Sequence, residues 1–275
     1  APEAMGPSPH PRPYAIAFTV AQALIAVLHV RAYMQSKESR AYSRYWGMAF
    51  GGGAVVWLIS AFLPLPLGYF TMGAGVLAIL FAPLTAHARA QGEQWPLDQE
   101  HLSERYGLLT IIVLGESFVK VLSYLASSEH GIDLEYMLKG CFNLLITCSL
   151  WWIYFDDVAG SRLRQQRVAF FAWFYGHLPL SIALSATGVA LQRAAFVDDF
   201  SKPTPDAARW MLTSSLSVAL FAVAVIDSVT ERRQAELSDR ARVNVRAFSG
   251  MVVLVVGSAG GKISAAWFFA VISAV

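Results

Sequence analysis

Charge is scarce in this chain. Only 15% of its 275 residues are Asp, Glu, Lys or Arg, against roughly a quarter in a soluble domain. Those charges are bunched into short stretches between long apolar runs, which argues for a bilayer as the solvent. The formal net charge is only +2, and the basic residues fall at the ends of apolar runs instead of along one face. A nucleic-acid partner is therefore not expected. Cysteine is almost absent: Cys141 and Cys148 lie on one predicted helix, about 10 Å apart, too far to bridge. Both are expected in the core. Catalytic signatures are missing too, with no GxSxG, HExxH, P-loop or dinucleotide fingerprint. No cofactor or resident metal is implied. His87, Glu100, His101 and Glu104 share one loop, but their spacing is a weak metal signal.

What the chain does have is apolar length. Hydrophobic residues make up 56% of it, and its mean hydropathy is +0.47. A span needs about 20 mostly apolar residues. Eight stretches qualify: 14–33, 45–64, 67–87, 106–126, 137–155, 168–190, 209–228 and 248–273. The expected fold is an all-α, polytopic transmembrane helix bundle, read as one domain over 1–275. Pro64 and Pro66 place a tight turn between the second and third spans. No long internal repeat is evident, so an inverted-repeat transporter is not indicated.

The basic residues give an orientation. Connections after the first, third, fifth and seventh spans hold fourteen Lys and Arg, the last of them Arg240, Arg242 and Arg246. The opposite side holds four: Arg12, Arg193, Lys202 and Arg209. The odd-numbered connections are expected in the cytoplasm, with both chain ends outside and the protein in the cytoplasmic membrane. Tyr45, Trp46, Trp151 to Phe155, Trp173, Trp210 and Trp267 fall where an interfacial aromatic belt would place them. Gly47 with Gly51, and Gly257 with Gly261, have the GxxxG spacing that brings backbones close. Ordinary packing is the simpler reading of both pairs.

Ionisable residues at bilayer depth are costly and usually face protein or water. Glu116 and Lys120 are one turn apart and can pair. Counting residues puts Glu116 and His177 at one depth, and Lys120 and Lys262 at another. Glu116, Lys120, His177 and Lys262 are thus expected in one internal pocket, with Thr110, Ser117 and Ser258 nearby, able to relay protons or hold a small solute. A second group, Glu104, Arg105, Asp156, Asp157 and Asp227, is expected at the cytoplasmic rim. There it forms either an entrance or plain ion pairs.

Three segments carry a resemblance. They are His101 to Phe118, with Glu104-Arg105-Tyr106-Gly107-Leu108 leading into Ile112-Val113-Leu114-Gly115-Glu116-Ser117; Trp151 to Asp157; and Tyr175-Gly176-His177-Leu178-Pro179-Leu180. Together they resemble the bacterial low temperature requirement A family. Members of that family usually open with a further helix pair bearing a Glu-Leu-Phe-Phe-Asp-Leu-type motif. None appears here, and the chain begins at Ala1, so an amino-terminal pair is expected upstream. The resemblance implies a membrane protein linked to growth in the cold, without a defined activity. The preferred expectation is a proton-linked transporter or channel centred on Glu116. A membrane sensor or structural protein is the alternative, and an intramembrane lipid-acting enzyme a weaker one. The partners implied are the bilayer and a proton or small solute as substrate, and oligomeric state is not readable.

Overall fold

In hydrocarbon a backbone N–H finds no water, so an apolar run must close its own hydrogen bonds as a helix. The computed structural model of the protein bears this out. It describes residues 11–85, 98–126, 134–159, 161–164, 166–195, 200–231 and 238–275. The chain divides into two units, Ala1–Leu97 and Asp98–Val275.

The first unit holds α1 (Arg12–Gln35), α2 (Arg40–Phe62) and α3 (Leu67–Phe81), the last extended by a 3₁₀ turn, Ala82–Leu84. The turn between α2 and α3 falls at Pro64 to Pro66, as the prolines imply. Helix α1 packs on α2 along glycines: a Cβ at Gly47 would lie 3.4 Å from the Cβ of His29, and one at Gly51 would lie 3.9 Å from that of Ala26. Around the unit, Leu24, Leu28, Phe62 and Phe70 are exposed, the surface a lipid-facing bundle presents.

The second unit holds α4 (Gln99–Ala126), α5 (Leu134–Ile153), α6 (Arg167–Ala195), α7 (Asp206–Ser228), α8 (Asp239–Ala259) and α9 (Ala265–Ala274). Helix α7 is its hub, packed against α6 and α8; 67% of its apolar window is buried, against 39% or less in the other spans. Helix α6 also packs on α4, and α5 on α4 and α9. A short antiparallel pair, β1 (Arg162–Leu163) with β2 (Thr230–Glu231), clips the connection after α5 to the one after α7. Those two connections therefore lie at the same end of the unit.

Seven helices among the described residues are long and apolar enough to cross a membrane. With α4, 28 residues long, the chain is a polytopic all-α bundle of roughly eight spans. The stretch 248–273 is interrupted. Helix α8 starts at Asp239, where the Ser238 hydroxyl accepts a hydrogen bond from the Ala241 N–H, and it ends at Ala259. A 3₁₀ turn, Gly260–Lys262, follows. Helix α9 then runs back along α8 until the Val275 carbonyl accepts from the Ser249 hydroxyl. The carboxyl end accordingly lies beside the middle of α8, not beyond its outer end. Cys141 and Cys148, expected in the core, are exposed.

Candidate functional site

The structure separates the four side chains expected in one pocket. Glu116 and Lys120 do pair, Oε1 to Nζ at 3.0 Å, but the Glu116 side chain is 67% exposed. The buried face of α4 carries Thr110, Leu114 and Ser117 instead. Lys262 is exposed in the turn beyond α8, because α8 begins nine residues earlier than its apolar run suggests. His177 alone is buried, at 1% exposure. Among the described residues its partners include neither Glu116, Lys120 nor Lys262. Depth along a helix does not fix which way a side chain points, and the late position of Lys262 beyond α8 removes its depth match with Lys120.

His177 sits in an aromatic cage. Its Nδ1–H donates to the Trp173 carbonyl at 2.7 Å; a carbonyl can only accept, so this nitrogen carries the proton. Nε2 then accepts from the Tyr154 hydroxyl at 3.3 Å when the ring is neutral. Tyr106 stacks on the imidazole, centroids 4.2 Å apart, and Trp173 meets it edge-on at 4.6 Å. Trp173 is thus buried here, not part of an interfacial belt. The Thr110 hydroxyl, on the same face of α4, donates to the Tyr106 carbonyl at 2.9 Å. Sequence explains the local build. Gly176 lets α6 meet α7, since a Cβ there would lie 2.8 Å from Ile226. Tyr154 opens a π-helical turn, Tyr154–Val158, a distortion frequent at functional sites.

The row continues along α5. Lys139, Asn143, Thr147 and Tyr154 are all buried, at a spacing that keeps them on one helix face. From Lys139 to Tyr154 this covers about 22 Å. At the far end Lys139 pairs with Glu135 at 2.9 Å. Glu135 also accepts from the Phe200 N–H at 2.8 Å. In the middle, Asn143 is 1% exposed, and neither its amide nitrogen nor its oxygen has a partner among the described residues. An amide buried without partners costs about 1–3 kcal/mol.

At the Tyr106 end of α4 an open cavity of about 790 Å³ is lined by Glu100, Glu104, Gly107, Phe155, Arg162 and Trp173, among others. Trp173 joins its wall to His177. Glu104 of the expected rim group is here, 3.8 Å from His101. Arg105 and Asp156 are exposed, and the Asp157 side chain lies outside the described residues, as does His87. No group of three or more potential metal ligands gathers among the described residues.

Asp227, at the end of α7, is buried in ion pairs instead of lining the cavity. It is 0% exposed, and both its oxygens accept from Arg242, at 3.0 and 3.2 Å. Arg246 approaches to 3.9 Å. Arg242 also reaches Asp239 at 3.1 Å, which Arg164 holds from the other side at 3.0 Å. Arg242 and Arg246 had counted as loop cations. Ser238 as cap followed by Asp239 in the first turn is the helix-start signal that places them inside α8. At the opposite end Arg209, counted as an outer-loop cation, is buried as well. It donates to the Gly257 carbonyl at 2.8 Å and to that of Thr204 at 3.2 Å, and it pairs with Asp206 at 2.8 Å. Its guanidinium lies so close to Gly261 that a Cβ there would be 3.0 Å away. One glycine of the Gly257/Gly261 pair thus makes room for a cation, while Gly257 admits Thr213.

The profile described as Bacterial low temperature requirement A protein (LtrA) matches residues 1–275. An uncharacterized protein of Rhizobium meliloti (strain 1021) is 32% identical over 120 residues, a match covering 41% of this chain and 27% of that protein. The chain therefore spans about a quarter of the length of that curated relative. No solved structure matches. A match over the whole chain settles the assignment: the chain belongs to the bacterial low temperature requirement A family.

Proposed function

We propose that this protein moves protons, or a small polar solute coupled to them, across the cytoplasmic membrane through the second unit. The open cavity at Glu100 and Glu104 is the entrance. His177 and Tyr154 hold a proton at Nε2, and the stripe of Thr147, Asn143 and Lys139 continues the route toward the other face. Glu116, Lys120 and Lys262 stand outside this route. The arginine-rich connections after α5 and α7 share one end, which fits their lying together in the cytoplasm.

The observation that carries the reading is Asn143. A buried amide with neither end bonded among the described residues calls for water or a solute to satisfy it, and a row of hydroxyls, an imidazole and an amine offers the polar room that either needs. The test is proton flux into vesicles containing the purified chain and an internal pH dye, after a pH step. Flux above protein-free vesicles is expected. Asn143→Leu and His177→Phe should each cut it about tenfold or more, ~1.4 kcal/mol per factor of ten, while Glu116→Gln leaves it unchanged. Wild-type vesicles no leakier than empty ones, across several candidate solutes, would refute the reading. The alternative, a sensor or structural protein, is favoured by one feature only, the Asp227 cluster that locks α7 to α8.

A further inference from the structure

A second cavity lies in the first unit, away from the route just described. It holds about 510 Å³ and is lined by Tyr33, Arg40, Ala41, Arg44, Tyr45 and Met48. Its lining has two guanidiniums and no carboxylate. Arg40 and Arg44 are one turn apart on α2, where like charges repel. They also occupy the first turns of the helix, where the backbone dipole is itself positive. That turn has no side-chain cap, so its N–H groups keep donor capacity. The two like charges and the helix dipole repel one another here, and a bound anion would be attracted by all of them.

The walls are held in place. Arg40 Nε donates to the Tyr33 carbonyl at 3.4 Å, and its guanidinium carbon sits 5.6 Å from the Tyr33 ring centroid. Both contacts leave the terminal Nη groups available. The Tyr45 hydroxyl bonds the Ala82 carbonyl at 3.0 Å and the Thr85 hydroxyl at 2.8 Å, which ties the cavity to the end of α3. The site lies where α1 ends at Gln35 and α2 begins at Arg40, the level at which spans meet headgroups. Ala41, Met48 and the Tyr33 ring supply an apolar side. A planar fork of donors matches phosphate oxygens, and the volume admits more than a bare phosphate.

We infer that this cavity binds a phosphate group, carried either by an anionic phospholipid headgroup or by a soluble phosphate. The test uses the full chain in neutral-detergent micelles, titrated separately with phosphatidylglycerol and with inorganic phosphate, and read by thermal stabilisation and native mass spectrometry. Saturable binding is expected, weakened about tenfold or more in Arg40→Gln/Arg44→Gln. Arg31→Gln, which changes an exposed cation outside the cavity, should bind as wild type. Arg40→Lys/Arg44→Lys should recover part of the affinity and shows that the pair of charges is what is read. Phosphatidylglycerol binding that inorganic phosphate does not displace assigns the lipid as source. Displacement by inorganic phosphate assigns the soluble group. Binding of neither probe, or equal loss in Arg31→Gln and the double glutamine variant, overturns the inference.

Discussion

Two buried polar regions of the second unit are built on opposite terms. Around Asp227 the carboxylate is fully used: Arg242 takes both oxygens and Asp239 joins Arg242 to Arg164. Along α5 the balance is the reverse, since Asn143 is as deeply buried but has no hydrogen-bond partner among the described residues. A satisfied buried charge resists change, because removing one partner strands the other. An unsatisfied buried amide weakens the fold it sits in and is useful only for what it can bind. Burial alone does not mark a functional site; the state of its partners does.

Substitutions can break that contrast, and the strongest is Asp227→Ala. Stranding Arg242 should cost about 3–5 kcal/mol, read as loss of folded protein in thermal or denaturant titration in detergent. Arg209→Ala should cost about 1.5–3 kcal/mol by the same readout, because the carbonyls of Gly257 and Thr204 lose a charged donor. Asn143→Leu sharpens the comparison from the other side. It removes an unpaired amide, so stability should stay within about 1 kcal/mol of wild type or rise, while flux falls. An Asn143→Leu protein as unstable as Asp227→Ala would erase the difference between the two regions. Glu116→Gln should do least, within about 0.5 kcal/mol, since its carboxylate is largely exposed and pairs with Lys120 on the same helix.

Much of the fold was legible in the sequence because bilayer thickness converts apolar length into helices almost without reference to tertiary contacts. The proline turn between α2 and α3, the Glu116–Lys120 pair and an all-α bundle of roughly eight spans all follow from local spacing. The place of Lys262 did not, because Arg242 and Arg246 look like loop cations until a distant Asp227 neutralises them inside α8. Of the site, His177 was readable from its position within an apolar run beside Gly176 and Pro179. Asn143 was not, since an asparagine on a membrane helix becomes informative only once its neighbours are known. Tyr154 was in view as part of an aromatic run, and its π-helical turn re-aims it from an interfacial position toward the imidazole.

The most direct measurement is the water access of position 143. Asn143→Cys, in a chain with Cys141 and Cys148 changed to serine, would be exposed in intact vesicles to a membrane-impermeant, water-soluble thiol reagent. Modification in the folded state is expected, slowed when His177 is replaced by Phe. A thiol that reacts only after the protein is unfolded would mean the α5 stripe is dry, and the conduction route would have to be abandoned.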